Sequence, residues 1–327
     1  MKTSSEGQLQ QPSIIQALLS GFNTIANNPL LILLPILLDL FLWFGPTWRI
    51  DQVFKPVILE FSQLPALNTT EYAELLVGFQ SAWTEVIANF NLASSLRTLP
   101  IGVPSLMAAK PAFINPIGEP LMFFLESGVQ FISLWSVFLL IGYFLGNLYF
   151  DTIARQIIDP IKDTGFKSLM FTYFQVLLLP ILIIIILILL SIPALFVITA
   201  ISLISPAIGQ FLMFAGGIIL LWIFIPLIFT PHGIFLYRQN IIESMMTSVK
   251  VVRFTMGKTL WFFLLSYILI SGLDRLWLAP NVDNWFLIVG IMGRAFIITA
   301  VTAASFHFFI DATKFSQTIL NRTLKSI

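Results

Sequence analysis

The pattern of hydrophobic and polar positions is dominated by one run. Between Lys167 and Arg238 there is no Asp, Glu, Lys or Arg. At about 20 apolar residues per membrane crossing, the run is long enough for two crossings and a turn. It predicts helices over about 172–198 and 206–230, with Ile201-Ser-Leu-Ile-Ser-Pro206 as the turn between them. The remaining apolar runs predict crossings over about 29–46, 128–150, 259–278 and 285–309.

Amphipathic stretches precede the crossings in pairs. Over Ile14 to Ala26 the apolar positions 14, 15, 18, 22 and 25 fall at helical spacing. Residues 151–169 place Ile153, Ile157 and Ile161 on one side. Ile241 to Met256 places Ile242, Met245, Met246, Val249 and Val252 in a stripe, with Glu243, Thr247 and Lys250 away from it. Such segments are expected to lie in the membrane interface.

The predicted fold is therefore all-α. It is a polytopic transmembrane helix bundle of six crossings in three hairpins, each hairpin preceded by an interfacial amphipathic helix. The expected layout is a cytoplasmic N-terminus with its interfacial helix (1–28), a first hairpin (29–150), a second amphipathic segment and hairpin (151–230), a third (231–310) and a tail (311–327). The repeat is one of topology, since identity between units is weak. Ser20-Gly-Phe22 echoes Gly165-Phe-Lys-Ser168, and Leu38-Asp39…Trp43 echoes Leu273-Asp274…Trp277 with a gap.

The first hairpin carries a polar insertion, residues 49–126. Within it Thr70 to Phe90 reads as an amphipathic helix, with Leu75, Leu76, Phe79, Trp83, Ile87 and Phe90 as its stripe and Asn68…Glu71 resembling a capping box. Leu99 to Pro120 is rich in proline and poor in charge. The insertion is expected to cover one mouth of the bundle.

Composition agrees with a membrane class. Of 327 residues 57% are hydrophobic and 10% charged, against about 25% charged in soluble proteins. A net charge of +1 leaves no basic field for nucleic acid, and the absence of Cys excludes disulfides and thiolate sites. The first apolar run is expected to act as an uncleaved signal anchor, because Trp43-Phe-Gly-Pro-Thr-Trp48 follows it in place of a small-residue cleavage site. Eleven Lys and Arg fall on the side of both termini and five on the other. By the positive-inside rule the termini are expected in the cytoplasm of a plasma-membrane protein and the insertion outside. Trp43, Trp48, Trp277 and Trp285 then form an outer aromatic belt.

The candidate functional residues are charges inside predicted crossings: Asp39, Asp274 and Arg294. A charge near the middle of a span costs about 2.5–3.5 kcal/mol on insertion scales and usually faces inward. Arg294 is expected to pair with Asp39 or Asp274, either to set helix register or to serve transport and gating. Gly142 and Gly146 form a GxxxG pair that lets another helix approach closely. His232 and His307 read as interfacial residues. Two His, no Cys and no HExxH leave no zinc site. Gly257-Lys258-Thr259 lacks the earlier Gly of a phosphate loop, since Val252 stands there, and no GxSxG is present. No catalytic residue, cofactor or metal is expected.

Glu243…Ser248…Arg253…Trp261 resembles a group of poorly characterised prokaryotic six-helix integral membrane proteins. The membrane domain attached to some glycerophosphodiester phosphodiesterases belongs to that group. Its members carry an acid, a Ser and a basic residue on an amphipathic cytoplasmic helix before the fifth crossing. The resemblance implies a bacterial-type plasma-membrane protein without assigned chemistry. The longer spacing from Arg253 to Trp261 and the external insertion depart from the group. The sequence lacks the hydrophilic phosphodiesterase domain, so no catalysis carries over.

Two functions fit the sequence. One is a non-enzymatic scaffold that binds membrane lipids or a membrane-protein partner. The other is a transporter or permease component using Asp39, Asp274 and Arg294, with helices broken at Pro35, Pro180, Pro193 and Pro226.

Overall fold

The computed structural model describes residues 11–62, 73–110, 113–158 and 165–325, without the side chains of 61–62, 73–75 and 323–325. The capping box at Asn68…Glu71, the break at Asp159-Pro160, and Ile161 lie outside the described residues.

In chain order the helices are α1 (Ile14–Asn27), α2 (Leu33–Phe44), α3 (Asp51–Ser62), α4 (Ala73–Ala88), α5 (Gly128–Ile157), α6 (Phe166–Ile204), α7 (Pro206–Phe224), α8 (Thr230–Tyr237), α9 (Ile241–Trp277) and α10 (Leu287–Lys325). Two short strands, β1 (Thr47–Arg49) and β2 (Met122–Phe124), pair in parallel with Thr47 opposite Met122. The fold is helical apart from this ladder, which joins the two ends of the insertion. Five stretches are long and apolar enough to cross a membrane: α5, α6, Pro206–Tyr237, α9 and α10. This is the architecture of a multi-pass membrane protein.

The predicted first crossing does not stand free of its amphipathic helix. A break separates α1 from the stretch Pro29–Phe44, and the two count as a sixth span only if taken together. Pro29 explains the break: it has no N–H and pushes Asn28 out of the helical region. Asn28 sits at φ −133° and ψ 67°, and Ser13 caps the start of α1 by accepting from the Gln16 N–H.

Three other boundaries move. The third amphipathic segment and fifth crossing are one helix, α9, with non-helical angles at Thr255 (φ −125°, ψ 16°). The polar tail continues α10 as far as Lys325. α6 runs unbroken through Pro180 and Pro193 for 39 residues, roughly 58 Å of helix. These two prolines therefore do not break the crossing. Pro35 lies in the first turn of α2, where a missing N–H costs least. Pro226 is the exception and sits in a 3-10 turn, Ile225–Leu227, between α7 and α8.

The chain divides into two compact units. One comprises Met1–Asn28, Phe150–Leu269 and Ala300–Ile327, the other Pro29–Tyr149 and Ile270–Thr299.

In the first unit Gly21 lets α1 lie directly on α10. A Cβ there would fall 2.3 Å from the Ala300 carbonyl oxygen and 2.6 Å from the Ala304 side chain. The core beside it is aromatic: Phe229, Phe235, Phe262, Phe306, Phe308 and Phe309 are all fully buried. The charge-free hairpin of α6 and α7 differs, with Ile184, Leu189, Leu203 and Phe211 among many exposed apolar side chains. A helix hydrophobic all round, with no partner face, belongs in lipid.

On α9 part of the apolar stripe faces outward in this unit, while Val252 of that stripe and a row of small polar residues face inward. Ile242, Met246 and Val249 are exposed, whereas Ser244, Ser248, Val251, Val252, Thr255 and Thr259 are buried. The break at Pro226 is the cause. The Ser248 hydroxyl donates to the Pro226 carbonyl at 2.6 Å and accepts from the Phe229 N–H at 3.0 Å. The Ser244 hydroxyl donates to the Thr230 carbonyl at 2.5 Å. Two serines thus satisfy backbone groups that the interrupted helix leaves open, and part of the apolar stripe faces outward.

In the second unit the insertion is more than a cover. Leu92, Ala93, Ile101, Val103, Ser105, Leu106 and Met107 are at most 1% exposed. Much of the stretch 92–107 is therefore core, although Leu99 within it is 74% exposed. Its outer part keeps an apolar face in the open: on α4, Phe79, Trp83 and Val86 are exposed while Ile87 is buried. Trp43, expected in an aromatic belt, is also fully buried. Its indole N–H donates to the Val282 carbonyl at 2.7 Å, and its ring meets Trp285 edge-on at 6.2 Å.

Candidate intramembrane charge site

The second unit brings all three predicted charges into one region. Asp39 projects from α2 beside Leu38 and Leu42, both buried. Its carboxylate accepts the Ser105 hydroxyl at 2.5 Å and the Met107 N–H at 2.9 Å on Oδ1, and the Leu106 N–H at 3.1 Å on Oδ2. The Ser105 oxygen in turn accepts from the Ala108 N–H at 3.0 Å. A tight turn over 105–108 thus points two amides and a hydroxyl at one anion. Such charge-assisted bonds are about twice as strong as neutral ones.

Arg294 pairs with Asp274 rather than Asp39. Its Nε lies 2.8 Å from Oδ1 and its second guanidinium nitrogen 3.4 Å from Oδ2, a two-pronged contact between α10 and α9. Glycines bring the helices this close. A Cβ on Gly290 would meet the Trp277 carbonyl oxygen at 2.4 Å, and one on Gly293 would meet the Trp277 ring at 2.6 Å. Arg294 remains near enough for its charge to act on Asp39.

A fourth charge joins them. Arg97, from the loop after the 3-10 turn Leu92–Leu96, feels Arg294, Asp39 and Asp274 together. Burial holds its guanidinium below the usual arginine range, the like charge of Arg294 adds to that, and the two acids oppose it. With two acids and two bases the region is formally neutral, the condition under which charges persist in an apolar surround. Sequence reasoning counted Arg97 only as an external-loop cation. The signal that could have found it is its position between Leu96 and the proline-rich stretch, a charge within an otherwise uncharged apolar run.

Further polar contacts fix the same loops. The Lys110 ammonium donates to the carbonyls of Leu278 at 3.2 Å and Pro280 at 3.3 Å, past the C-terminal end of α9 where a cation is favoured. The Asn115 side-chain amide donates to the Trp43 carbonyl at 3.3 Å.

Gly142 and Gly146 receive a loop, not a helix. A Cβ on Gly142 would lie 2.5 Å from the Leu96 carbonyl oxygen, and one on Gly146 would lie 2.8 Å from the Gly102 Cα. The Tyr143 hydroxyl between them donates to the Leu99 carbonyl at 2.6 Å. The small-residue pair thus admits the backbone of a turn.

The histidines and the resemblance motif lie in the first unit. His232 is buried rather than interfacial, 2.8 Å from the Ser305 hydroxyl and packed against Phe229, Phe306 and Phe309. Ser305 gives its proton to the Thr302 carbonyl, so the His232 Nε2 is the donor. By the same reasoning the His307 Nε2 donates to Thr24 at 3.0 Å, because the Thr24 hydroxyl is committed to the Ser20 carbonyl. Ser248 is the buried stitch described above, while Glu243 and Arg253 are exposed. Asp151, not singled out in the sequence, is buried and pairs with Arg155 and Arg238, each at 2.6 Å. No cluster of three or more His, Asp or Glu suited to a metal occurs among the described residues.

Comparison with known proteins returns no matching family model, no matching curated protein and no matching solved structure. The resemblance to six-helix prokaryotic membrane proteins rests on Glu243…Ser248…Arg253…Trp261 alone.

Proposed function

We propose that this protein is a non-enzymatic membrane scaffold that holds an ordered segment outside the bilayer for a lipid or membrane-protein partner. The carrying observation is the use made of Asp39. All its hydrogen bonds come from one turn of the insertion, Ser105–Met107, so it ties that segment to α2. Arg294 is likewise committed to Asp274. Charges that line a transport route must exchange partners with the cargo, whereas these are held by fixed protein groups. The exposed apolar side chains of α4 supply a surface for the partner. In this reading the protein sits in a prokaryotic plasma membrane with both termini in the cytoplasm, and it resembles the six-helix group.

The discriminating experiment is amide hydrogen exchange over Leu92–Met107 in proteoliposomes. The scaffold reading expects strong protection that does not respond to an imposed pH or sodium gradient and is lost in Asp39→Ala. Protection that rises or falls with the gradient would replace the scaffold by the transporter reading.

A further inference from the structure

The first unit holds a cleft that the charge site does not use. It lies at the irregular turn of α9, has a volume of about 540 Å³, and is walled by Phe254, Gly257, Lys258 and Trp261 with Ile14 and Phe315 opposite. That size suits a small-molecule site.

Three observations bear on what it takes. First, the cleft sits where α9 changes character. Lys258 is the last charge before an uncharged run, Thr259 to Leu273, so the cleft lies at the boundary between water and hydrocarbon. Trp261, 58% exposed, marks that level. Second, its charge has one sign. Among the described residues Lys258 is its only ionisable lining residue, no carboxylate lines it, and Lys250, Arg253 and Lys258 form no ion pair. Third, it is polar at one end and apolar at the other. A Cβ at Gly257 would meet nothing within 4 Å, which leaves the backbone beside Lys258 accessible. Beyond it Trp261 and Leu265 continue the wall as exposed apolar surface. A neighbouring cleft is lined by Asp311 as well as Lys314 and lacks this single sign.

We propose that this cleft binds an anionic phospholipid, with the headgroup phosphate on Lys258 and Gly257 and an acyl chain along Trp261 and Leu265. A free phosphate would satisfy Lys258 but leave the apolar wall unused. A zwitterionic lipid would bring its own cation to a cleft whose one ionisable lining residue among the described residues, Lys258, is already positive. The sequence Gly257-Lys258-Thr259 thus holds phosphate through a side chain and an open glycine at a membrane surface, without the loop of a nucleotide site.

The test uses the full chain in nanodiscs of phosphatidylcholine with and without phosphatidylglycerol, counting retained lipids by native mass spectrometry. The expected result is preferential retention of phosphatidylglycerol, falling about five-fold in Lys258→Ala, as one cation near the surface implies, and kept in Lys258→Arg. Trp261→Ala is expected to reduce retention of the lipid without changing the headgroup preference. Equal retention of the two lipids by the wild type would overturn the proposal. So would Lys258→Ala retaining phosphatidylglycerol like the wild type. Displacement of the lipid by inorganic phosphate alone would assign the site to free phosphate instead. Because Lys258 is exposed, thermal unfolding of both variants should match the wild type.

Discussion

The hydroxyl of Ser105 meets the carboxylate of Asp39 at 2.5 Å across 66 residues of sequence, and both are buried. This contact joins an irregular segment to a membrane helix through a single anion. Ser105→Ala removes a hydrogen bond to a charged group, worth about 1.5–3 kcal/mol. Asp39→Ala removes the acceptor of three donors and leaves them buried, with an expected loss of about 3–5 kcal/mol. Asp39→Asn keeps the shape but sets an NH₂ against N–H donors, so it should be closer to Asp39→Ala than to wild type. Unfolding in detergent, followed by proteolysis within 92–107, checks the order.

The Arg294–Asp274 pair should behave as a unit. Arg294→Leu or Asp274→Ala alone leaves an uncompensated charge, and each is expected to cost about 3 kcal/mol or more. Together they should cost less than the sum, with a coupling of about 0.5–3 kcal/mol. Arg294→Lys should not rescue, because an ammonium cannot reproduce the two-pronged contact. A double-mutant cycle on unfolding free energy reads this directly. If the two losses simply add, the pair is not a pair in solution.

The glycine pair on α5 separates two uses of the same motif. Were Gly142 and Gly146 a dimer face, alanine would change the oligomeric state. With the Leu96 carbonyl and Gly102 backbone in their place, alanine should push the loop away and destabilise the fold by about 1–3 kcal/mol, as overpacking does. Light scattering should then show the same mass for wild type and Gly146→Ala while the unfolding midpoint falls.

These cases show what the sequence made legible. Hydropathy located the membrane helices, because length and apolarity follow from bilayer thickness. The rarity of charge in spans selected Asp39, Asp274 and Arg294, and the pairing of Arg294 with an acid followed from depth along the helices. What stayed hidden depends on tertiary packing. The partner of Gly142 and Gly146 was a loop because proline-rich, uncharged sequence such as 99–107 reads as surface until something buries it. Arg97 was hidden for the same reason. Periodicity gave no sign of the buried serine face of α9, because it weighs side-chain apolarity, whereas the burial of Ser244 and Ser248 is dictated by carbonyls freed at a break in another helix.

That buried serine face sets up a sharp contrast between neighbours on α9. Ser248 donates to the Pro226 carbonyl and accepts from the Phe229 N–H. Ser248→Ala therefore strands one acceptor and one donor in a buried site, at an expected cost of about 1–3 kcal/mol. Ser248→Thr keeps the hydroxyl but adds a methyl where exposure is already zero, so it should recover part of the loss and no more. Met246, two residues earlier and 59% exposed, belongs to the outward-facing part of the apolar stripe. Met246→Ala should stay within about 0.5 kcal/mol of wild type in detergent, as surface changes do. Unfolding midpoints of the three variants decide which face is inward. A larger loss in Met246→Ala than in Ser248→Ala would make the apolar stripe the core face and remove the serine stitch.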